Sequence, residues 1–135
     1  SSQFGESPYL ALADLQQAYA HVQAGDLDAA ALALESARSH AKDPLLADLA
    51  TLRLARLRQA QGRAEEALAL ANEAGKQYTG VAAELRGDIL AAQGKREDAI
   101  TAYQDALTHL AEGLPNRGLV ELKLADLGAP SPQES

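Results

Sequence analysis

Leucine and alanine recur along most of this chain at intervals of three and four residues, with charged and polar residues between them. Residues three or four apart lie on the same face of an α-helix. The pattern therefore predicts amphipathic helices separated by short polar turns. We expect them near residues 8–24, 26–41, 44–61, 63–76, 80–93, 95–111 and 116–127.

Two of these predicted helix starts have proline directly after a capping residue, at Ser7-Pro8 and Asp43-Pro44. Proline is tolerated at the first helical position because the N–H that it lacks would have no partner within the helix. Serine and aspartate accept a hydrogen bond from the first turn.

Three segments of the chain align with one another when one glycine of each is superposed. The glycines lie 37 and 32 residues apart, close to the 34-residue period of tetratricopeptide repeats. A glycine at this point can adopt the left-handed conformation that ends the first helix of a pair. The segments are residues 15–37, 52–74 and 84–106, with Gly25, Gly62 and Gly94 at their turns.

Small residues recur at matched places in the three segments, where they would let paired helices cross closely. They lie seven residues before and five residues after each glycine, and the larger packing position of repeat three holds Tyr103. We predict an all-α, tetratricopeptide-type right-handed helical solenoid of three helix-turn-helix repeats with a C-terminal capping helix. The domain would span 7–127, with disordered segments at 1–6 and 128–135; the alternative is an ordinary Ala-rich helical bundle. The small residues are Ala18, Ala55 and Gly87 before the turns and Ala30, Ala67 and Ala99 after them.

Composition supports helices and excludes several classes of function. Alanine and leucine supply 53 residues, whereas valine, isoleucine and threonine supply nine. Alanine and leucine have the highest helix propensities, so this balance favours helices. A net charge of −7 disfavours nucleic acid and anionic membranes. The chain has no cysteine and no apolar run of about 20 residues that could span a bilayer. Because it starts without methionine, we expect an excised fragment whose targeting signals were removed.

Candidate chemistry is sparse. The three histidines, His21, His40 and His109, lie on different predicted helices without acidic companions at metal-ligand spacing. No Ser/His/Asp arrangement, phosphate-binding glycine loop or metal motif is evident. We therefore expect no enzymatic activity, no catalytic residue, no cofactor and no metal.

The informative surface is the concave face, which the first helix of each repeat would build. This face would have an apolar part that grades into a charged part. Such a surface could bind a peptide that contains an apolar segment. An upstream helix that covers Leu12, Leu15 and Leu49 is an equally good explanation of the apolar part, and exposure of the first helix would permit a weak homodimer. The predicted partner-binding residues are Leu12, Leu15, Tyr19, Val22, Leu49, Leu52, Arg53, Arg56, Gln59, Glu84 and Asp88.

Arginines cluster at positions 53, 56 and 58 of this acidic chain. They could bind an acidic partner or a carboxylate. Pairing with Glu84, Asp88 and neighbouring residues is the commoner outcome for such clusters, and we expect it here.

Ordered strings in the chain resemble the YfgM-like family, the ancillary subunits of the bacterial SecYEG translocon. Residues 83–88 (AELRGD) resemble its Ala-Asp/Glu-Leu-Arg-Gly-Asp/Glu signature, in which Arg86 stands where the general repeat has leucine. Residues 52–56 (LRLAR) and 122–127 (LKLADL) also look like that family, whereas the turn at 76–80 departs from it. The resemblance covers about residues 7–128.

This resemblance implies a domain on the periplasmic face of the inner membrane of Gram-negative bacteria, anchored by an N-terminal transmembrane helix outside this chain. Its partners would be SecYEG, a PpiD-type chaperone and newly translocated secretory clients. Two alternatives remain at this point: a repeat adaptor in another envelope assembly, and a cytoplasmic regulator that sequesters a transcription factor or sensor.

Overall fold

The computed structural model describes residues 8–111 and 113–129, and it has seven α-helices in these ranges. The predicted all-α class is confirmed, with helix ends within about two residues of those expected. The segment expected to be disordered at 1–6 and residues 130–135 of the expected tail lie outside the described residues. The helices are α1 Tyr9–Gln23, α2 Leu27–His40, α3 Pro44–Ala60, α4 Ala64–Ala74, α5 Thr79–Ala92, α6 Arg96–His109 and α7 Pro115–Asp126.

The helices belong to two compact units, residues 1–77 and 78–135. In the first unit α1 packs on α2, α2 on α3 and α3 on α4, whereas in the second unit α5 packs on α6 and α6 on α7. Within each unit, each helix thus packs on the next helix of the chain, as helix-turn-helix repeats require. Among the described helices none is both long and apolar enough to cross a bilayer.

The three turn glycines have the left-handed conformation predicted for them, with φ of +79° at Gly25, +79° at Gly62 and +77° at Gly94. The same hydrogen bond closes each turn: the N–H of the residue after the glycine donates to a carbonyl five residues back. The three N···O distances are 2.9 Å from Asp26 to His21, 2.8 Å from Arg63 to Arg58 and 2.9 Å from Lys95 to Leu90. These bonds satisfy carbonyls that a helix end leaves without partners.

The start of α3 is capped as its sequence predicts. Asp43 is the N-cap residue, its Oδ1 accepts from the Leu45 N–H at 2.9 Å, and Pro44 begins the helix. At the start of α1, Pro8 precedes the first helical residue, and Ser7 lies outside the described residues. Asp26 caps α2 by accepting from the Ala29 N–H at 3.1 Å.

Each unit has its own apolar core. The first is built around Leu15, Leu34 and Leu54 with several fully buried alanines. The second is built around Tyr103, Leu107, Val120 and Leu124. The predicted small positions are all buried, and α5 and α6 lie close together at Gly87, where an added Cβ would lie 2.5 Å from the Tyr103 ring.

Helix α7 is tied to the end of α6 near its start and is closed by a local cap at its own end. Near its start, the buried guanidinium of Arg117 donates from Nη1 to the Leu107 and Leu110 carbonyls, at 2.6 and 2.8 Å. These carbonyls lie at the end of α6, where a cation is favoured. At its end, Gly128 has φ +80° and the Ala129 N–H donates to the Leu124 carbonyl. Residues 128 and 129, which the sequence analysis assigned to the tail, therefore form the C-terminal cap of α7.

Candidate functional site

A groove in the first unit runs between α1 and α3, with α2 at its base. We call it the α1–α3 groove. Its deeper part has a volume of about 310 Å³, and apolar side chains form most of its wall. Three buried leucines form its floor, namely Leu15 of α1, Leu34 of α2 and Leu57 of α3.

A second hollow of about 460 Å³ continues the groove toward the start of α1. Leu12, Gln16 and Leu49 line it, and it shares Leu15, Tyr19 and Arg53 with the deeper part. The two hollows are therefore adjacent stretches of one groove.

Helical spacing explains why these residues line the groove together. Leu15, Tyr19 and Val22 follow one another at intervals of four and three residues on α1, as do Leu49, Arg53 and Arg56 on α3. This spacing places each set on one helix face. Tyr19 is 65% exposed and Val22 43% exposed, so the rim is open to a partner while the floor is packed.

The two guanidinium groups at the groove, those of Arg53 and Arg56, are exposed and have no ion-pair partner within the described part of the first unit. The ion pairs there involve Arg38, Arg63 and His40. The third arginine of the cluster, Arg58, donates to Gln61 Oε1 at 2.8 Å. The groove thus combines an apolar floor with two unneutralised positive charges.

The structure brings most of the predicted first-unit site residues together in this groove and places the others elsewhere. Leu52 is only 5% exposed, so its side chain belongs to the packed interior and not to an open face. Gln59 is half-buried and does not line either hollow. The predicted residues that do line the groove are Leu12, Leu15, Tyr19, Val22, Leu49, Arg53 and Arg56.

The two predicted site residues of the second unit, Glu84 and Asp88, lie in a packed polar cluster. Lys123 Nζ of α7 is 2.8 Å from Glu84 Oε2 and 3.0 Å from Asp88 Oδ1. The Tyr103 hydroxyl donates to Asp88 Oδ1 at 2.6 Å. These carboxylates, which the sequence suggested as partners for the arginines, are instead paired with a lysine of their own unit, and they join α5 to α6 and α7.

This cluster shifts the pKa values of both of its proton-bearing members upward. Burial of the Tyr103 hydroxyl raises its pKa above the ordinary value near 10, and the hydrogen bond to Asp88 and the nearby carboxylate charges add to the increase. Burial alone would lower the pKa of Lys123, but the hydrogen bonds and charges of Glu84 and Asp88 outweigh it and the pKa is raised. The folded state therefore holds both protons more tightly than the unfolded chain does.

Stability of the second unit is consequently expected to fall at alkaline pH. A group whose pKa is raised by folding contributes stability that is present below its ordinary pKa and lost as pH rises through the folded value. We expect the free energy of unfolding in urea to be level up to about pH 10 and to decrease above it. Circular dichroism of urea unfolding between about pH 8 and pH 11 measures this.

The double variant Tyr103→Phe with Lys123→Met removes both protons and should flatten this alkaline decrease. Tyr19→Phe is the matched control, since Tyr19 is an exposed tyrosine in the other unit. An equal alkaline slope in the double variant and the wild type would refute the assignment to this cluster.

A second polar cluster was missed by the sequence analysis, which expected no Ser/His/Asp arrangement. Asp14 Oδ2 accepts from Ser36 Oγ at 2.9 Å and lies 2.7 Å from His40 Nδ1. Serine and aspartate both approach the same ring nitrogen, with Ser36 Oγ 3.4 Å from it. In a catalytic triad the two would contact opposite ring nitrogens, so this cluster ties α1 to α2 and does not activate a nucleophile. No sequence signal links Asp14 to residues 22 and 26 positions away.

Comparison with known proteins agrees with this architecture. A family model described as a tetratricopeptide repeat-like domain matches residues 1–129. The structure is similar to the crystal structure of a tetratricopeptide repeat protein from Parabacteroides merdae ATCC 43184, with a TM-score of 0.68 and 24% sequence identity. That similarity covers 87% of this chain and 48% of the other, so the chain spans about half the length of that protein. No curated protein sequence matches the chain significantly.

Proposed function

The chain belongs to the tetratricopeptide repeat-like domain family, and from this we propose that it holds other polypeptides in the α1–α3 groove. We further propose that it does so at the periplasmic face of a bacterial inner membrane, as a domain of an ancillary subunit of the SecYEG translocon. Its role there would be to assist newly translocated proteins together with a PpiD-type chaperone. It is a scaffold and not a catalyst.

The α1–α3 groove is the observation that carries the protein-binding part of this proposal. Its floor of buried leucines lies between two helices, and its rim is formed by exposed Tyr19 and Val22. Concave apolar sites with a few polar groups at the edge are where proteins hold peptide segments. Repeat domains of this kind present such surfaces to other proteins.

The translocon part of the proposal rests on the resemblance of particular strings. Three strings of the chain resemble the YfgM-like family and follow one another in the order that the family has. They are residues 52–56, 83–88 and 122–127. The matching repeat-like domain family includes YfgM-type domains. The glycine of the second string, Gly87, is explained by packing, because a larger residue there would collide with the Tyr103 ring.

Site-specific photo-crosslinking in cells that produce the full-length protein tests this function. The probe replaces Tyr19 or Val22 in the groove, and it replaces Leu32, which is 74% exposed on α2 and does not line the groove, as the matched control. We expect the groove probes, and not the control, to capture translocon subunits, a PpiD-type chaperone or emerging secretory chains.

Other capture patterns would redirect the proposal. Capture of outer-membrane assembly or cell-division factors would assign the chain to a different envelope adaptor. Capture of a cytoplasmic regulator would exclude the periplasmic location. If the Leu32 probe captures the translocon partners and the groove probes stay silent, the α1–α3 groove is not the site.

A further inference from the structure

The charges at the α1–α3 groove indicate what kind of segment it holds. Arg53 and Arg56 lie one helical turn apart on α3, and both line the apolar hollow. Neither has an ion-pair partner in the described part of the first unit, although the chain carries 19 acidic residues against 12 basic ones. Two unpaired guanidinium groups beside an apolar floor in an acidic protein favour a ligand that supplies carboxylates.

The spacing of the groove residues matches a helix. From Leu12 to Val22, α1 borders the groove over ten residues, or about 15 Å at 1.5 Å per residue. A ligand helix of about three turns would fill this length with apolar side chains three and four residues apart. Side chains one turn apart on α3 are about 5–6 Å apart at Cβ, which is the spacing of two carboxylates one turn apart on such a ligand.

The position of Arg53 favours acidic side chains over a chain terminus as the source of carboxylate. Arg53 borders both hollows, so it faces the middle of the groove, where a ligand passes through. A C-terminal carboxylate would lie at the end of its peptide, whereas a segment that passes through the groove presents acidic side chains to its middle. Guanidinium groups bind carboxylates in bidentate geometry, which adds orientation to the charge attraction.

We propose that the α1–α3 groove binds an amphipathic helical segment of a partner protein, with its apolar face on the leucine floor and two acidic side chains, one turn apart, on Arg53 and Arg56. This inference rests on the proposed function and specifies the segment that the groove recognises. The negative field of the whole chain is screened within about 8–10 Å at physiological salt. The two nearby arginines therefore determine the sign of the electrostatic potential at the groove.

Fluorescence anisotropy with the full chain and three labelled helical peptides tests this recognition. The peptides share one leucine face and carry glutamate, glutamine or lysine at two positions one turn apart. We expect the glutamate peptide to bind tightest, with an advantage of about threefold to tenfold over the glutamine peptide, as two partly exposed ion pairs provide. This advantage should shrink as salt is raised, and the lysine peptide should bind weakest.

Variants of the chain identify the arginines as the source of that advantage. Arg53→Gln with Arg56→Gln should bring the glutamate and glutamine peptides to equal affinity while leaving the glutamine peptide almost unaffected. Arg63→Gln is the matched control, because Arg63 is 52% exposed in the same unit and does not line the groove. Combined with Lys42→Gln, at an exposed residue of the same unit that also lies outside the groove, it makes the same change of net charge and should preserve the glutamate advantage. Circular dichroism confirms that each variant is folded.

Three results would overturn the inference. Equal binding of the glutamate and glutamine peptides to the unmodified chain would show that charge is not recognised. Tighter binding of the lysine peptide would show that the acidic field of the whole chain dominates. No binding of the glutamate peptide would exclude this class of segment. In each case, capture of partners by groove probes at Tyr19 and Val22 would still uphold the proposed function, and silence of those probes would remove it as well.

Discussion

Gly87→Ala is expected to destabilise the second unit, although alanine favours helices more than glycine does. A Cβ at this position would lie 2.5 Å from both Cδ1 and Cε1 of the Tyr103 ring and 2.9 Å from Cζ. The ring is rigid, only 3% exposed, and held by its hydrogen bond to Asp88. Overpacking of this kind costs about 1–3 kcal/mol, which exceeds the gain of up to about 1 kcal/mol from helix propensity.

Gly118→Ala is the matched control for this prediction. Gly118 also lies inside a helix, α7, but an added Cβ there meets no atom within 4 Å. The same substitution should therefore raise the free energy of unfolding by about 0.5–1 kcal/mol. Urea unfolding followed by circular dichroism gives both values.

A third variant separates the ring contact from other effects of the new methyl group. In a Tyr103→Leu background, Gly87→Ala should cost less than it does beside tyrosine, because the smaller side chain leaves room. A cost of Gly87→Ala that is the same in both backgrounds would show that the Tyr103 ring is not its cause. Stability changes of equal sign at Gly87 and Gly118 would contradict the prediction outright.

Leu54→Ala is expected to lower the free energy of unfolding by about 2–5 kcal/mol. Leu54 lies on α3 in the core of the first unit, and none of its side chain is exposed. Removing three carbon atoms loses the free energy gained when they are transferred from water to the core. It also leaves a cavity in a closely packed interior. Domains of this size are stable by about 5–15 kcal/mol in total, so the variant should unfold at a clearly lower urea concentration.

Leu32→Ala tests whether burial is the cause. Leu32 is on α2 of the same unit and is 74% exposed, so this chemically identical change should stay within about 0.5 kcal/mol. Leu54→Met keeps the volume and should cost less than about 1.5 kcal/mol. Equal losses for Leu32→Ala and Leu54→Ala would refute the placement of Leu54 in the core.

Local chemistry accounts for the parts of this protein that could be predicted from its sequence. The left-handed turns at Gly25, Gly62 and Gly94 and the cap at Asp43 depend on residues within about six positions of one another. Helical period and turn chemistry act over such distances. Their repetition along the chain was enough to predict seven helices and the family of the fold.

The candidate site could be predicted only in part, because several helices carry alanine or leucine on more than one face. On α3 both Leu49 and Leu52 were expected on the open surface, yet Leu49 lines the groove and Leu52 is buried. Which apolar face is covered depends on how neighbouring helices cross, and the period within one helix does not specify that crossing.

The pairing of the charged side chains depended most on tertiary structure. Lys123 contacts Glu84 and Asp88, which lie 39 and 35 residues earlier in the chain. His40 contacts Asp14, which lies 26 residues earlier. A charged side chain on a helix has many possible partners of opposite charge, and sequence spacing does not choose between them. Helices and turns could therefore be inferred from nearby residues. The ion pairs and the open groove that Arg53 and Arg56 line follow from the packing of helices distant in sequence.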